Sequence, residues 1–173
     1  MGDLTDQTLE EFLDSVGEDT PAPGGGTSSA ITVALAAALV EMAARLGSDE
    51  DGAEAAKGMR EAALRLADEE LTSYGPVLKA ETPADRTTAL DGASEPPAQI
   101  AETAADVAEL GVKVAESSSP AVQGDALTGV ILAESAAAAA ARLVWTNISS
   151  GPVFDRARDA ADRASKARES GTV

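Results

Sequence analysis

The chain has 173 residues, 44% hydrophobic but only 2% aromatic, which suits one domain over residues 1–173 with a core of Ala, Val, Leu and Ile. It contains neither cysteine nor histidine; this removes disulfides, Cys-ligated metals and any Ser-His-Asp or Cys-His mechanism, and leaves acid–base chemistry to carboxylates, Lys, Tyr or water. A formal net charge of -17 argues against nucleic acid and anionic membranes as partners.

In chain order, Leu9, Phe12, Leu13 and Val16 recur at helical spacing and predict a first helix from Thr5 or Asp6 to about Val16, with Asp6 as its cap. The run from Thr20 through Pro21, Ala22, Pro23, Gly24, Gly25 and Gly26 predicts a break. A second helix follows over 28–46, apolar on nearly every side until Glu41, as befits a central helix. A long third helix is predicted over 52–78. Its stripe of Met59, Ala63, Leu66, Glu70, Tyr74 and Val77 has Glu70 near the middle. Residues 83–95 read as polar and irregular. Pro96-Pro97 then opens a fourth helix with the stripe Ile100, Ala104, Val107, Gly111 and Val114, closed by Ser117 to Pro120. A fifth, Ala-rich helix is expected over 125–147 and a charged amphipathic sixth over 152–170. The expected fold is therefore all-α: an up-and-down bundle of five to six helices with an Ala-rich core. Two Ala-rich helices exceed what so small a layer can hide, so a homodimer is expected. The polar, acidic start and the short apolar run 30–40 suggest a cytoplasmic protein without a membrane span.

Three features could carry chemistry. Pro23-Gly24-Gly25-Gly26-Thr27-Ser28 precedes an apolar helix; its glycines permit positive φ and close backbone approach, and its amides suit an anion or polar heterocycle. It reads equally as a flexible turn with Ser28 as N-cap. Glu70, centred on an apolar stripe, would have its pKa raised by desolvation and could act as general acid or base, or it could be a structural ion pair with an Arg of a neighbouring helix. Asp125, after Gly124, reads first as an N-cap; two Gly-preceded helix starts could also converge on one pocket. Glu41, paired with Arg45, and Glu134 read as structural or interface charges. Lys79 and Arg86 flank the polar loop and could contact a ligand carboxylate.

Phe12-Leu13, Thr20 to Thr27, Ala67 to Tyr74, Glu95-Pro96-Pro97, Gly124-Asp125-Ala126, and Arg142-Leu143-Val144 with Asn147 together resemble, in order, the cyclodeaminase/cyclohydrolase family. This family includes the cyclodeaminase half of formiminotransferase-cyclodeaminase and methenyltetrahydrofolate cyclohydrolases. The resemblance implies an all-helical dimer, a tetrahydrofolate one-carbon unit as small-molecule substrate, and no metal or other cofactor. It differs from the family pattern in three places. Glu70 stands where similar sequences carry Asp, the segment after Lys79 is shorter, and Ser118-Ser119 replace a Gly-Asn pair.

The expected function is hydrolysis of 5,10-methenyltetrahydrofolate to 10-formyltetrahydrofolate, or cyclodeamination of 5-formiminotetrahydrofolate. Glu70 would be the acid–base group and Asp125 a stabiliser or second proton carrier. Pro23, Gly24, Gly25, Gly26, Thr27, Ser28, Tyr74 and Lys79 would hold substrate. Hydrolysis is preferred because no formiminotransferase domain is fused to the sequence. The alternatives are the same fold acting on a non-folate imine or iminium, and a non-catalytic helical oligomer.

Overall fold

In the computed structural model, which describes Leu4 and residues 7–171, the chain is all helical: α1 (Leu9–Gly17), α2 (Gly25–Leu46), α3 (Glu50–Ser73), α4 (Gly75–Lys79), α5 (Pro83–Ala93), α6 (Glu95–Ser117), α7 (Pro120–Asn147) and α8 (Pro152–Ser170). The six expected helices are α1, α2, α3, α6, α7 and α8, and two short ones, α4 and α5, join α3 to α6. There is no strand among the described residues.

The helices form where their free backbone groups find partners. α1 begins at Thr8, whose hydroxyl accepts from the Glu11 N–H while the Glu11 carboxylate accepts from the Thr8 N–H. The expected cap, Asp6, lies outside the described residues. α2 starts three residues earlier than expected: Gly25 and Gly26 are its first helical residues, and Ser28 is not the cap but donates its N–H to the Gly24 carbonyl. The predicted third helix ends early because Pro76 has no N–H to continue the ladder; Tyr74 closes α3 and opens α4. The segment read as irregular is mostly helix: the Thr82 hydroxyl accepts from the Asp85 N–H and Pro83 sits in the first turn. α7 starts at Pro120 after Ser119, so Asp125 is inside the helix and not its cap.

Small side chains let the long helices approach closely. α2, α6 and α7 pack against one another at the centre, α3 closes one side on α2 and α6, and α8 lies across α6 and α7. Ala157, Ala160, Ala164 and Ala167 make a buried stripe on α8. At the α2–α7 crossing a Cβ on Gly129 would stand 3.0 Å from the Ala36 carbonyl oxygen, so glycine sets the spacing there. α8 is also tied to α6 by ion pairs: Arg156 to Glu95 (2.9 Å) and Glu102 (2.8 Å), and Arg163 to Asp106 (2.6 Å) and Glu109 (2.8 Å). α2 and α7 are long and apolar enough to cross a membrane by length and composition, and about half of each such stretch is buried within the bundle.

α2 and α7 run in opposite directions: Gly25 lies beside Leu143, and Gly129 beside Ala36 and Leu39. Joined by the short turn from Gly47 to Asp49, α3 returns along α2. One end of the bundle therefore gathers the start of α2, the end of α3, the start of α6 and the end of α7.

Candidate active site

At that end the first turn of α2 meets the last turns of α3. Glu70 of α3 presses its carboxyl against the Cα of Gly26; any side chain at Gly26 would overlap it. This explains the glycine. Its value is close approach, not an unusual dihedral, because Gly24 is extended (φ -135°) and Gly25 and Gly26 are helical. The N–H groups of the first helical turn have no intrahelical acceptor, so this end of α2 offers free donors and a positive dipole end.

Glu70 is half-buried. Among the described residues it has no ion pair; its carboxylate accepts one hydrogen bond, from the Ser73 hydroxyl at 3.1 Å. Burial raises its pKa above the ordinary 4.5, and the Ser73 hydrogen bond only partly opposes this. The arginine partner considered as an alternative is therefore absent among the described residues.

A cavity of about 310 Å³ opens onto this carboxyl. Its walls include Gly24, Gly25, Gly26 and Thr27 from the start of α2, Ser73 and Tyr74 from the end of α3, Pro97 from α6, and Leu143, Thr146 and Asn147 from α7. Such a volume lies at the small end of ordinary ligand pockets. Thr27 is almost fully buried, and its hydroxyl is the one buried side-chain polar atom among the described residues without a hydrogen-bond partner. Leaving such a group unpaired costs about 1–3 kcal/mol.

The structure brings together Glu70, Gly24, Gly25, Gly26, Thr27 and Tyr74. Pro23 is buried just before the helix, after a cis Ala22–Pro23 bond, and neither it nor Ser28 lines the cavity. Lys79 is exposed in a wider, adjoining cleft of about 1260 Å³ that α4 and α5 border, together with Glu81 and Asp85. Ser73 and Ala93 line both spaces. Asp125 does not join Glu70 within one chain. It is exposed near the start of α7, and about 33 Å of helix separate it from Asn147 at the site. The two Gly-preceded helix starts do not converge, because α2 and α7 are antiparallel. Ser73 and Thr146 were not singled out from sequence. Ser73, one helical turn after Glu70, was open to a spacing argument; Thr146 carried no signal.

Among the described residues no three His, Cys, Asp or Glu side chains are grouped as a metal site would require.

The fold has a solved counterpart. Formiminotetrahydrofolate cyclodeaminase from Thermotoga maritima superposes with a TM-score of 0.84, covering 96% of this chain and 92% of that one at 24% sequence identity. A comparison with curated protein sequences gives no match. The sequence profile of formiminotransferase-cyclodeaminase matches residues 8–166, nearly the whole length and every element of the site, and the chain therefore belongs to the formiminotransferase-cyclodeaminase family.

Proposed function

We infer that this protein is an enzyme of one-carbon folate chemistry in which Glu70 moves the proton. The observation that carries this reading is the state of Glu70: an acid held in a cavity against the start of α2, with its pKa raised by burial and, among the described residues, no cation paired with it. A group in that condition exchanges protons nearer to neutral pH than an ordinary glutamate does.

Two reactions fit. In hydrolysis, water adds to the carbon bridging N5 and N10 of the methenyl cation. The Glu70 carboxylate takes one proton from that water and returns it to N5 as the carbon–N5 bond breaks; the second water proton leaves the hydroxyl for solvent, discharging the cation and leaving the formyl group on N10. In cyclodeamination, N10 adds to the carbon of the protonated formimino group, and Glu70 relays the N10 proton to the departing nitrogen, which leaves as ammonia and yields the methenyl cation. Both pass through a tetrahedral carbon next to a delocalised cation, which an unpaired carboxylate stabilises. Hydrolysis is the preferred reaction. Gly25, Gly26 and Thr27 would offer amides to the polar edge of the ring, and Tyr74 would cover its face. The chemistry asks for no metal or redox cofactor, and the working unit is a homodimer.

A second reading keeps the site and changes the substrate to a non-folate imine or iminium. It is favoured by the wider cleft, where Lys79 is accompanied by Glu81 and Asp85. Those carboxylates would repel the glutamate tail of a folate.

The test is to mix the protein with 5,10-methenyltetrahydrofolate and follow the ultraviolet absorbance of the bridged ring, and in parallel to measure ammonia release from 5-formiminotetrahydrofolate. Acceleration over buffer in either, lost in Glu70→Gln, supports the folate reading and identifies the reaction. No acceleration and no folate binding would reject it in favour of the second reading.

A further inference from the structure

We propose that Ser73 is the positioning residue for Glu70: its single hydroxyl hydrogen serves the Glu70 carboxylate while that group is charged and turns to the Glu70 backbone carbonyl while it is protonated, so that the carboxyl keeps one place through the proton cycle. The meaning of this for turnover rests on the reading of Glu70 as the proton carrier; the coupling of the two side chains is argued from their geometry.

Three observations carry it. First, the Ser73 hydroxyl has one hydrogen and two acceptors within reach. Its oxygen lies 3.1 Å from the Glu70 backbone carbonyl oxygen and 3.1 Å from Oε2 of the Glu70 carboxylate. A hydroxyl also carries lone pairs, so it accepts as well as donates. With Glu70 ionised, the carboxylate is the stronger acceptor and takes the hydrogen. With Glu70 protonated on Oε2, the carboxyl donates to the Ser73 oxygen, and the Ser73 hydrogen turns to the carbonyl three residues back, a habitual partner of helical serines. Both charge states are satisfied without moving the carboxyl.

Second, among the described residues no other side chain bonds to the Glu70 carboxyl. Its other oxygen, Oε1, packs against Gly26, which limits it by contact on that side. Without the hydroxyl, the staggered torsions of a glutamate would let the carboxyl swing into the open cavity. Third, the helix builds the pair. Ser73 is the last residue of α3, three after Glu70 and so on the same face, and it lines the cavity beside the carboxyl. Ser117 supplies the comparison: it ends α6 and its hydroxyl bonds the carbonyls of Lys113 and Val114 in the same manner, but it meets backbone alone.

The surroundings leave Glu70 as the group that a pH titration would read. α2, α6 and α7 bring no charged side chain to the cavity wall among the described residues. Tyr74 is the other ionisable group lining it, and Lys79, Glu81 and Asp85 stand in the adjoining cleft.

The experiment is a carbon NMR titration of Glu70 in the full chain, joined to steady-state kinetics on the folate substrates, with Ser73→Ala, Ser73→Thr and Ser117→Ala. In Ser73→Ala, Glu70 is expected to titrate higher than in wild type, because burial is left unopposed. Ser73→Thr keeps the hydroxyl and should titrate as wild type does. Three-bond couplings should show one Glu70 χ1 well on both sides of the titration in wild type, and averaging between wells in Ser73→Ala. In turnover, Ser73→Ala is expected to lower kcat about tenfold, with KM within about twofold and the acidic limb of the pH profile moved up. Ser73→Thr should return kcat to within about threefold of wild type. Added to Glu70→Gln, Ser73→Ala should cost no more than about twofold, since it acts through that carboxyl. Ser117→Ala removes the same kind of helix-end bond and should leave every readout at wild type. An unmoved titration in Ser73→Ala, or a Glu70 χ1 equally fixed without the hydroxyl, overturns the coupling. A moved titration with an unchanged kcat overturns the positioning role. The NMR measurements need no substrate, so they decide the coupling even for a chain that turns over neither folate, a result that would reject the folate reading alone.

Discussion

The two ends of α2 each hold a carboxylate at the edge of an apolar core, and they treat it in opposite ways. At the C-terminal end, Glu41 is clamped by Arg45 at 2.8 Å and by Arg60 of α3 at 3.0 Å. The Arg45 hydrogen bond is the largest cause that holds its pKa below 4.5, with Arg60 adding to it against the pull of burial. At the N-terminal end, Glu70 has the Ser73 hydroxyl and no arginine, and burial moves its pKa up. The contrast separates structure from chemistry. A paired carboxylate stabilises the bundle and cannot easily take a proton; an unpaired one strains the bundle slightly and can.

The contrast can be broken by exchanging the two outcomes. Glu70→Gln is expected to lower turnover about a thousandfold, the scale of lost acid–base catalysis, while the fold stays intact. Glu41→Gln should leave turnover within about twofold of wild type, since Glu41 does not line the cavity. A normal rate in Glu70→Gln, or a crippled one in Glu41→Gln, would reverse the assignment.

Gly26→Ala sharpens the same point. The new methyl would overlap the Glu70 carboxyl and its Cγ, so the whole side chain must turn to another rotamer, which its half-exposed setting permits without unfolding. Displacing the carboxyl by about 1 Å or more is expected to cost about a hundredfold or more in turnover, measured alongside a thermal melt.

The smallest expected effects are on stability, and they have opposite signs. Glu70 binds its proton more tightly folded than unfolded. Its contribution is therefore most favourable below about 4.5 and is lost as pH rises through the folded value. Glu70→Gln should accordingly melt slightly higher than wild type at pH 7. Glu41 is the reverse: its contribution is full above about 4.5 and is lost as pH falls through the folded value. Glu41→Gln should melt about 2–4 °C lower at pH 7, the effect of about 1 kcal/mol in a chain of this size, and the deficit should shrink in acid.

How much of this was legible in the sequence follows from what each signal encodes. α2 and α7 announced themselves by being apolar on nearly all sides, and the Glu70 stripe placed that carboxylate correctly at an apolar edge. The start of α2 was misread because glycines suggest a loop, whereas here they occupy the first helical turn, where close approach matters more than propensity. The break at Gly75-Pro76 was hidden by a stripe that continues in register to Val77. α5 was missed for lack of an apolar face, although Thr82, Pro83 and Asp85 form a start signal. The placing of Asp125 beside Glu70 failed for a topological reason. Spacing along a helix says nothing about which end of the bundle it begins from, and α7 begins at the end opposite α2.

The most direct test of the central claim is a titration of the glutamate side-chain carboxyls by carbon NMR, with Glu70→Gln and Glu41→Gln supplying the assignments. The account predicts that Glu70 titrates above 4.5 and Glu41 below it. A Glu70 resonance that titrates at or below 4.5 would mean that its charge is already satisfied in the folded protein, and would contradict its role as the proton carrier.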